Sequence, residues 1–150
     1  MLTTIFYLKP QFLWNKCSDS LSEPEFNGNR VLTIYYPENG ELIPRKAKPS
    51  AKLTRTGVAS DVVTEYLKPY NSHLNRCFLS TSGVAYVDIS GNLRKTFRGS
   101  VMDEYLLVMG LLKSLKANIS GIKSVRILID GMEIESLGGH IDLTNPIREK

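Results

Sequence analysis

Cysteine, tryptophan and histidine are all scarce in this chain of 150 residues, with two, one and two copies respectively. Each scarcity narrows the chemistry. Cys17 and Cys77 stand far apart and match neither a zinc-ligand pair nor a CxxC redox element. Cys77 lies in an apolar run that reads as strand, where a buried free thiol is expected. One disulfide with Cys17 is the alternative in an oxidising compartment. Neither histidine belongs to an HExxH motif or a Cys/His pair, and His140 has only Asp142 nearby, whereas a zinc site needs three or four converging ligands. No GxSxG elbow activates a serine, and "LGGH" lacks both the GxGxxG spacing and the lysine of a phosphate loop. The paired acids Glu133/Glu135 and Asp103/Glu104 suit the solvent face of a hairpin and the N-terminus of a helix. No catalytic residue, metal or cofactor is expected, and the chain reads as a non-enzyme.

Long hydrophobic runs are missing as well. "MLTTIFYLKPQFLW" is interrupted by Lys9 and Pro10, is too short to span a bilayer, and is followed by no small-residue cleavage site. Asn15 and Lys16 precede Cys17 where a lipoprotein anchor would have small residues. The sequence therefore displays no signal peptide, lipobox or transmembrane span.

What is present is the composition of one soluble domain, 42% hydrophobic and 23% charged. The polar, Gly- and Pro-containing stretch "NKCSDSLSEPEFNGNR" makes residues 1–29 an extension or linker and places the domain at 30–150. The net charge of +4 is concentrated in Arg45, Lys46, Lys48, Lys52 and Arg55, a stretch without any acid. Such a stretch serves either as a solvated connector or, alternatively, as the patch of a ligand- or nucleic-acid-binding module. No aromatic residue stands beside it for base stacking.

Within the domain, "VLTIYY" reads as a strand, "PENG" as a turn and "ELIP" as a short return strand. Val58, Val62, Val63, Tyr66 and Leu67 recur at helical spacing before Pro69. "RCFLST" and "VAYVDI" read as a hairpin. Ser100 opens the strongest helix, with a stripe of Met102, Leu106, Met109, Leu112 and Leu115. "KSVRILID" alternates as a strand, Asp130 and Gly131 supply a tight turn, and "MEIE" pairs back. The order β-α-β-β-α-β with short hairpin additions predicts an α+β two-layer sandwich, two helices on one face of a mixed sheet. Leu32, Ile34, Ala85, Val87, Ile89, Val125, Ile127 and Ile129 should face the helices. Thr33, Tyr35, Tyr86, Arg126 and Leu128 should occupy the opposite face, either as a partner-contact surface or as a solvated sheet face.

Taken in succession, "GVAYVDIS", "GSVMDEYLLVMGLLKSL", "GIKSVRILIDG" and "SLGGHIDLTNPI" closely resemble the GerM domain, a family named for bacterial sporulation and spore-germination proteins. "VLTIYYPENGELIP" resembles the family's start, so the resemblance covers residues 31 to 147, with 37 to 75 matching least well. It implies an extracytoplasmic α+β module, often attached to a lipoprotein or single-pass anchor and sometimes in tandem copies. The implied fold is similar to the ring-building domains of the channel linking mother cell and forespore. The implied role is assembly and contact with other envelope proteins or with its own copies, with no nucleic acid. Gly138, Gly139, His140, Ile141 and Asp142 match the family's closing motif, and Ser100 and Gly131 match its helix start and hairpin turn. On this reading the glycines let the chain reverse, and His140 and Asp142 hydrogen-bond backbone groups that the turn exposes. This chain departs from the pattern in lacking a visible export signal and in carrying one copy.

Overall fold

The computed structural model describes residues 30–50 and 54–150. The expected extension over 1–29, with Cys17, and Lys52 of the basic stretch lie outside the described residues. The first apolar run forms strand β1 (Leu32–Glu38), which pairs antiparallel with β2 (Glu41–Ala47), from Glu38↔Glu41 to Leu32↔Ala47. Asn39 and Gly40 adopt φ of 51° and 80°, the two positive values that a type I′ hairpin turn requires. β2 is longer than the expected return strand, because Arg45 and Lys46 continue the ladder instead of entering a connector.

Thr54 starts helix α1 (Arg55–Leu67), its hydroxyl oxygen accepting from the Gly57 amide at 3.0 Å. Val58, Ala59, Val62, Val63, Tyr66 and Leu67 recur at three- and four-residue steps and are fully buried, so one apolar face docks the helix. Pro69 falls in a 3₁₀ turn (Lys68–Tyr70), which ends at Asn71 in the left-handed region.

β3 (Leu74–Leu79) and β4 (Val84–Ile89) then form an antiparallel hairpin. A short helix α2 (Asn92–Thr96) and a long helix α3 (Val101–Asn118) carry the chain across to β5 (Ser124–Ile129), which lies parallel to β4 from Val84↔Ser124 to Ile89↔Ile129. A parallel pair requires such a crossover. β6 (Met132–Glu133) returns on β5 through Asp130 and Gly131, whose φ values are 48° and 79°, and β7 (Ile147–Arg148) pairs with the first half of β5. The strand order of this mixed sheet is β3-β4-β5-β6, with β7 also on β5.

Period-two alternation sends Ala85, Val87, Ile89, Val125, Ile127 and Ile129 into one buried cluster with the apolar faces of α1 and α3. The architecture is therefore α+β, mixed sheet plus helices. Two expectations need correction. β1 is not a strand of the mixed sheet: among the described residues it pairs with β2, and its other edge lies along α3. Leu32 and Ile34 still reach the core cluster from there. The reason lies in the helix. The Tyr35 amide donates to Ser114 Oγ at 2.8 Å, the Thr33 amide donates to Asn118 Oδ1 at 3.0 Å, and Asn118 Nδ2 donates back to the Thr33 carbonyl at 2.7 Å. Gly110, Ser114 and Asn118, four residues apart, form a row of small and polar side chains along which a strand edge can lie.

The expected apolar stripe of α3 is the second correction. Met102 is exposed and Met109 only half-buried, whereas Leu107, Val108 and Leu111 are buried beside Leu112 and Leu115. The helix has partners on several sides, the sheet, α1 and β1, so its buried surface is wider than one stripe. Among the described residues Cys77 has no disulfide partner, and burial pushes its thiol up to about 12, which favours the unreactive protonated form.

Candidate functional site

The start of α3 carries two carboxylates with different tasks. Ser100 and Asp103 form a capping box: Ser100 Oγ accepts from the Asp103 amide, and Asp103 Oδ2 accepts from the Ser100 amide at 2.7 Å and from its hydroxyl at 2.8 Å. Those bonds hold the Asp103 carboxyl below its ordinary value. A carboxyl lowered on folding stabilises the fold above its unfolded pKa and stops doing so as pH falls through the folded one. Asp103→Asn is therefore expected to be destabilised at neutral pH, with its deficit against the wild type shrinking below about pH 4. Urea unfolding curves collected between neutral and acidic pH check this, and a deficit that stays constant into strong acid would contradict the assignment.

Glu104, one residue on, points inward and is fully buried. Its Oε1 accepts from the Leu137 amide at 2.8 Å and its Oε2 from the His140 amide at 2.9 Å. One carboxylate thus clamps both ends of "LGGH". The two glycines meet separate demands. A Cβ on Gly138 would lie 2.7 Å from Phe97 Cε1 and 3.2 Å from Glu104 Oε2, so this position needs space. Gly139 has φ of 92° with open surroundings, so that position needs conformational freedom.

His140 contributes its backbone amide to this clamp, and its side chain is exposed. This corrects the expectation that the histidine side chain bonds the turn. Asp142 does act on backbone: Oδ1 accepts from the Thr144 amide at 2.9 Å and from its hydroxyl at 2.6 Å, which holds this carboxyl below its ordinary value. The Leu143 amide closes the loop onto the Glu135 carbonyl.

A second carboxylate corner joins the ends of the parallel strands. Asp88 Oδ1 accepts from the Gly131 amide at 2.8 Å, Asp130 Oδ1 accepts from the Gly91 amide at 3.0 Å, and Asn75 Nδ2 lies between the two acids. Among the described residues, no three His, Cys, Asp or Glu side chains are grouped as a metal site would require.

The expected contact residues separate. Tyr86 and Arg126 are cross-strand neighbours on the outer face of the sheet, Tyr86 tilted against Phe78 and Arg126 paired with Glu133 at 2.9 Å. Leu128 is only 3% exposed and offers no contact area. Tyr35 belongs to the β1–β2 hairpin, with the Lys113 ammonium 4.6 Å from its ring centroid. The single face expected for all four does not exist, because β1 left the sheet for α3.

The basic stretch is likewise dispersed. Arg45 and Lys46 are successive strand residues and point to opposite faces. Arg45 pairs with Glu38 at 2.7 Å, Lys46 donates to the Thr33 hydroxyl, and Arg55 donates to the Ser120 carbonyl at 2.7 Å.

In the sequence Glu104 reads as one of the dipole-favouring acids of α3, and no motif marks Gly110 or Ser114. The available signals were an acid one position past a capping box that an N-terminal role already filled, and the four-residue spacing of Gly110, Ser114 and Asn118.

No helix among the described residues is long and apolar enough to cross a membrane. In fold, the chain is similar to the first GerMN domain of the sporulation protein GerM from Bacillus subtilis, with a TM-score of 0.63 and 14% identity over 80% of this chain and 98% of that one. It is similar to a protein from Clostridium perfringens assigned provisionally as a lipoprotein, with a TM-score of 0.57 and 14% identity over 87% and 93% of the two chains. The tandem GerMN domains of the same Bacillus subtilis protein give a TM-score of 0.58 and 16% identity, over 79% of this chain and 46% of that one. Curated protein sequences give no match. The Germane family model, described as sporulation and spore germination, matches residues 33–135. That match takes in β1 through β6, both capped helices and the Glu104 carboxylate, and the chain belongs to the Germane family of sporulation and spore-germination domains.

Proposed function

We propose that this domain is a non-enzymatic protein-interaction or assembly module working outside the cytoplasm or at the membrane. The observation that carries the reading is the use made of its conspicuous acids. Glu104, Asp142, Asp88 and Asp130 each accept hydrogen bonds from backbone amides of turns and loops. Groups that could serve as acid, base or ligand therefore hold the architecture in place. The location is supported by the family's sporulation and germination description and by a neighbour assigned as a lipoprotein.

Contact through side chains is favoured over strand addition. β2 carries Pro44, Arg45 and Lys46, and β3 carries a register shift between Leu74 and Arg76, two devices that blunt a sheet edge against pairing. The candidate contact is the Tyr86–Arg126 pair on the outer sheet face, residue types enriched at interfaces. The partners would be other envelope proteins or further copies of the chain.

The test immobilises the full chain, challenges it with solubilised envelope from the source organism, and follows the free protein by sedimentation over a range of concentrations. A defined envelope protein or a second copy should bind, at least about tenfold more weakly to Arg126→Glu. A chain that stays monomeric and retains nothing would overturn the proposal.

A further inference from the structure

A groove of about 610 Å³ lies between the outer face of α3 and the C-terminal strand β7. Its apolar lining includes Leu42, Val108, Met109, Ile141 and Ile147, drawn from β2, α3, the closing loop and β7. Tyr105 stands in the wall, 46% exposed, and Met102, 56% exposed, continues the apolar row towards the start of the helix. Met102, Tyr105 and Met109 follow the i, i+3, i+7 spacing of one helix face. That row lies opposite Leu107, Leu111 and Leu115, which seat α3 in the core; Met109 is half-buried at the core's edge, and folding leaves Met102 and Tyr105 exposed.

The charge around the groove is mainly positive, with Lys113, Arg148 and Lys150 against one acid, Glu149. Glu149 is held by Lys116. Lys113 is steadied by the Tyr35 ring beneath its ammonium. An apolar floor with uncompensated cations on its rim complements an occupant that is apolar on one side and acidic along its flank. A row of methionine and aromatic side chains at helical spacing also suits a packed helix, because methionine adapts its shape to its neighbour. The apolar groups line a concavity between two walls, which a side chain enters and a flat bilayer does not.

We propose that this groove binds an acidic, amphipathic helical segment of a partner protein, with its apolar side chains on Leu42, Met109 and Ile141 and its carboxylates at Lys113 and Arg148. The inference rests on the reading of the chain as an interaction module, and it is independent of the Tyr86–Arg126 contact on the sheet face.

The test uses the full chain and a fluorescently labelled synthetic peptide of about 18 residues, five helical turns, with leucines along one face and glutamates on its flanks. Fluorescence anisotropy should report saturable binding with Kd of about 10–100 µM, weakened at least about tenfold by Tyr105→Glu and about fivefold by Arg148→Glu. A peptide with lysine in place of each glutamate should bind Arg148→Glu better than the wild type. Circular dichroism confirms that the variants fold, as expected for exposed positions. Arg126→Glu should bind the peptide normally, so failure at the groove and failure of the sheet-face contact are told apart. Absence of peptide binding, equal binding of acidic and basic peptides, or insensitivity to both groove variants would overturn the proposal. So would retention on phosphatidylglycerol-containing vesicles, lost in Tyr105→Glu, without peptide binding, an outcome that assigns the groove to a membrane surface.

Discussion

Glu104→Ala is expected to lower the unfolding free energy by about 3–5 kcal/mol, read from urea denaturation at neutral pH. The substitution leaves the buried Leu137 amide and the part-buried His140 amide without their acceptor, and a fully buried donor deprived of its partner costs about 1–3 kcal/mol. Removing the side chain also opens a cavity beneath Gly138 and Phe97, which adds to the loss. Relief of the carboxylate's own desolvation offsets part of this. Glu104→Gln separates the contributions. Its carbonyl oxygen replaces one acceptor while its NH₂ group confronts the other amide, so a smaller loss of about 1.5–3 kcal/mol is expected. The damage should be local as well as global, with faster hydrogen exchange at Leu137 and His140 in the glutamine variant. An alanine variant within about 1 kcal/mol of the wild type would mean that the loop is held by something other than this carboxylate.

The elements of the sheet were legible because period-two alternation is a local signal. Ala85, Val87 and Ile89, and Val125, Ile127 and Ile129, could be assigned to one face from their spacing alone, and that face is the buried one. The turns at Asn39–Gly40 and Asp130–Gly131 were readable for the same reason, since few residue pairs accept two successive positive φ values. The partner of β1 was not legible. "VLTIYY" has the pattern of a sheet strand, and nothing inside it says that its edge will be satisfied by side chains of a helix 79 and 85 residues further on. That information resides in α3, where Ser114 and Asn118 look like ordinary polar positions until their spacing from Gly110 is noticed. The candidate contact surface depends on the same point: Tyr35 shares a face with Tyr86 and Arg126 only if β1 belongs to their sheet. The closing motif was half legible. "LGGH" announced unusual backbone, but the acid that holds it lies on another element, and sequence proximity directed attention to Asp142 instead of Glu104.

Gly110→Ala should therefore destabilise the protein, although alanine is favoured over glycine within a helix by about 1 kcal/mol. An added Cβ would stand 2.6 Å from Tyr66 Oη and 2.8 Å from the Tyr35 carbonyl oxygen. Neither neighbour can easily withdraw. Tyr66 is fully buried, donates its hydroxyl to the Leu107 carbonyl at 2.6 Å and is stacked on Tyr36, while Tyr35 is tied by its amide to Ser114. Overpacking of this kind costs about 1–3 kcal/mol or more, and displacement of the tyrosine hydroxyl adds the cost of a broken buried hydrogen bond. The net expected change is a loss of about 1–3 kcal/mol after the helix-propensity gain, visible as a lower urea midpoint with an unchanged slope. The sign is the informative part. A gain in stability would mean that β1 does not sit against α3 as described. Tyr66→Phe supplies the finer test, because it removes the oxygen nearest the new methyl group. Gly110→Ala combined with Tyr66→Phe should lose less than the sum of the single changes, with coupling of about 0.5–2 kcal/mol. If the two add without coupling, the clash falls instead on the Tyr35 carbonyl, and the cost of the alanine is the cost of moving the strand.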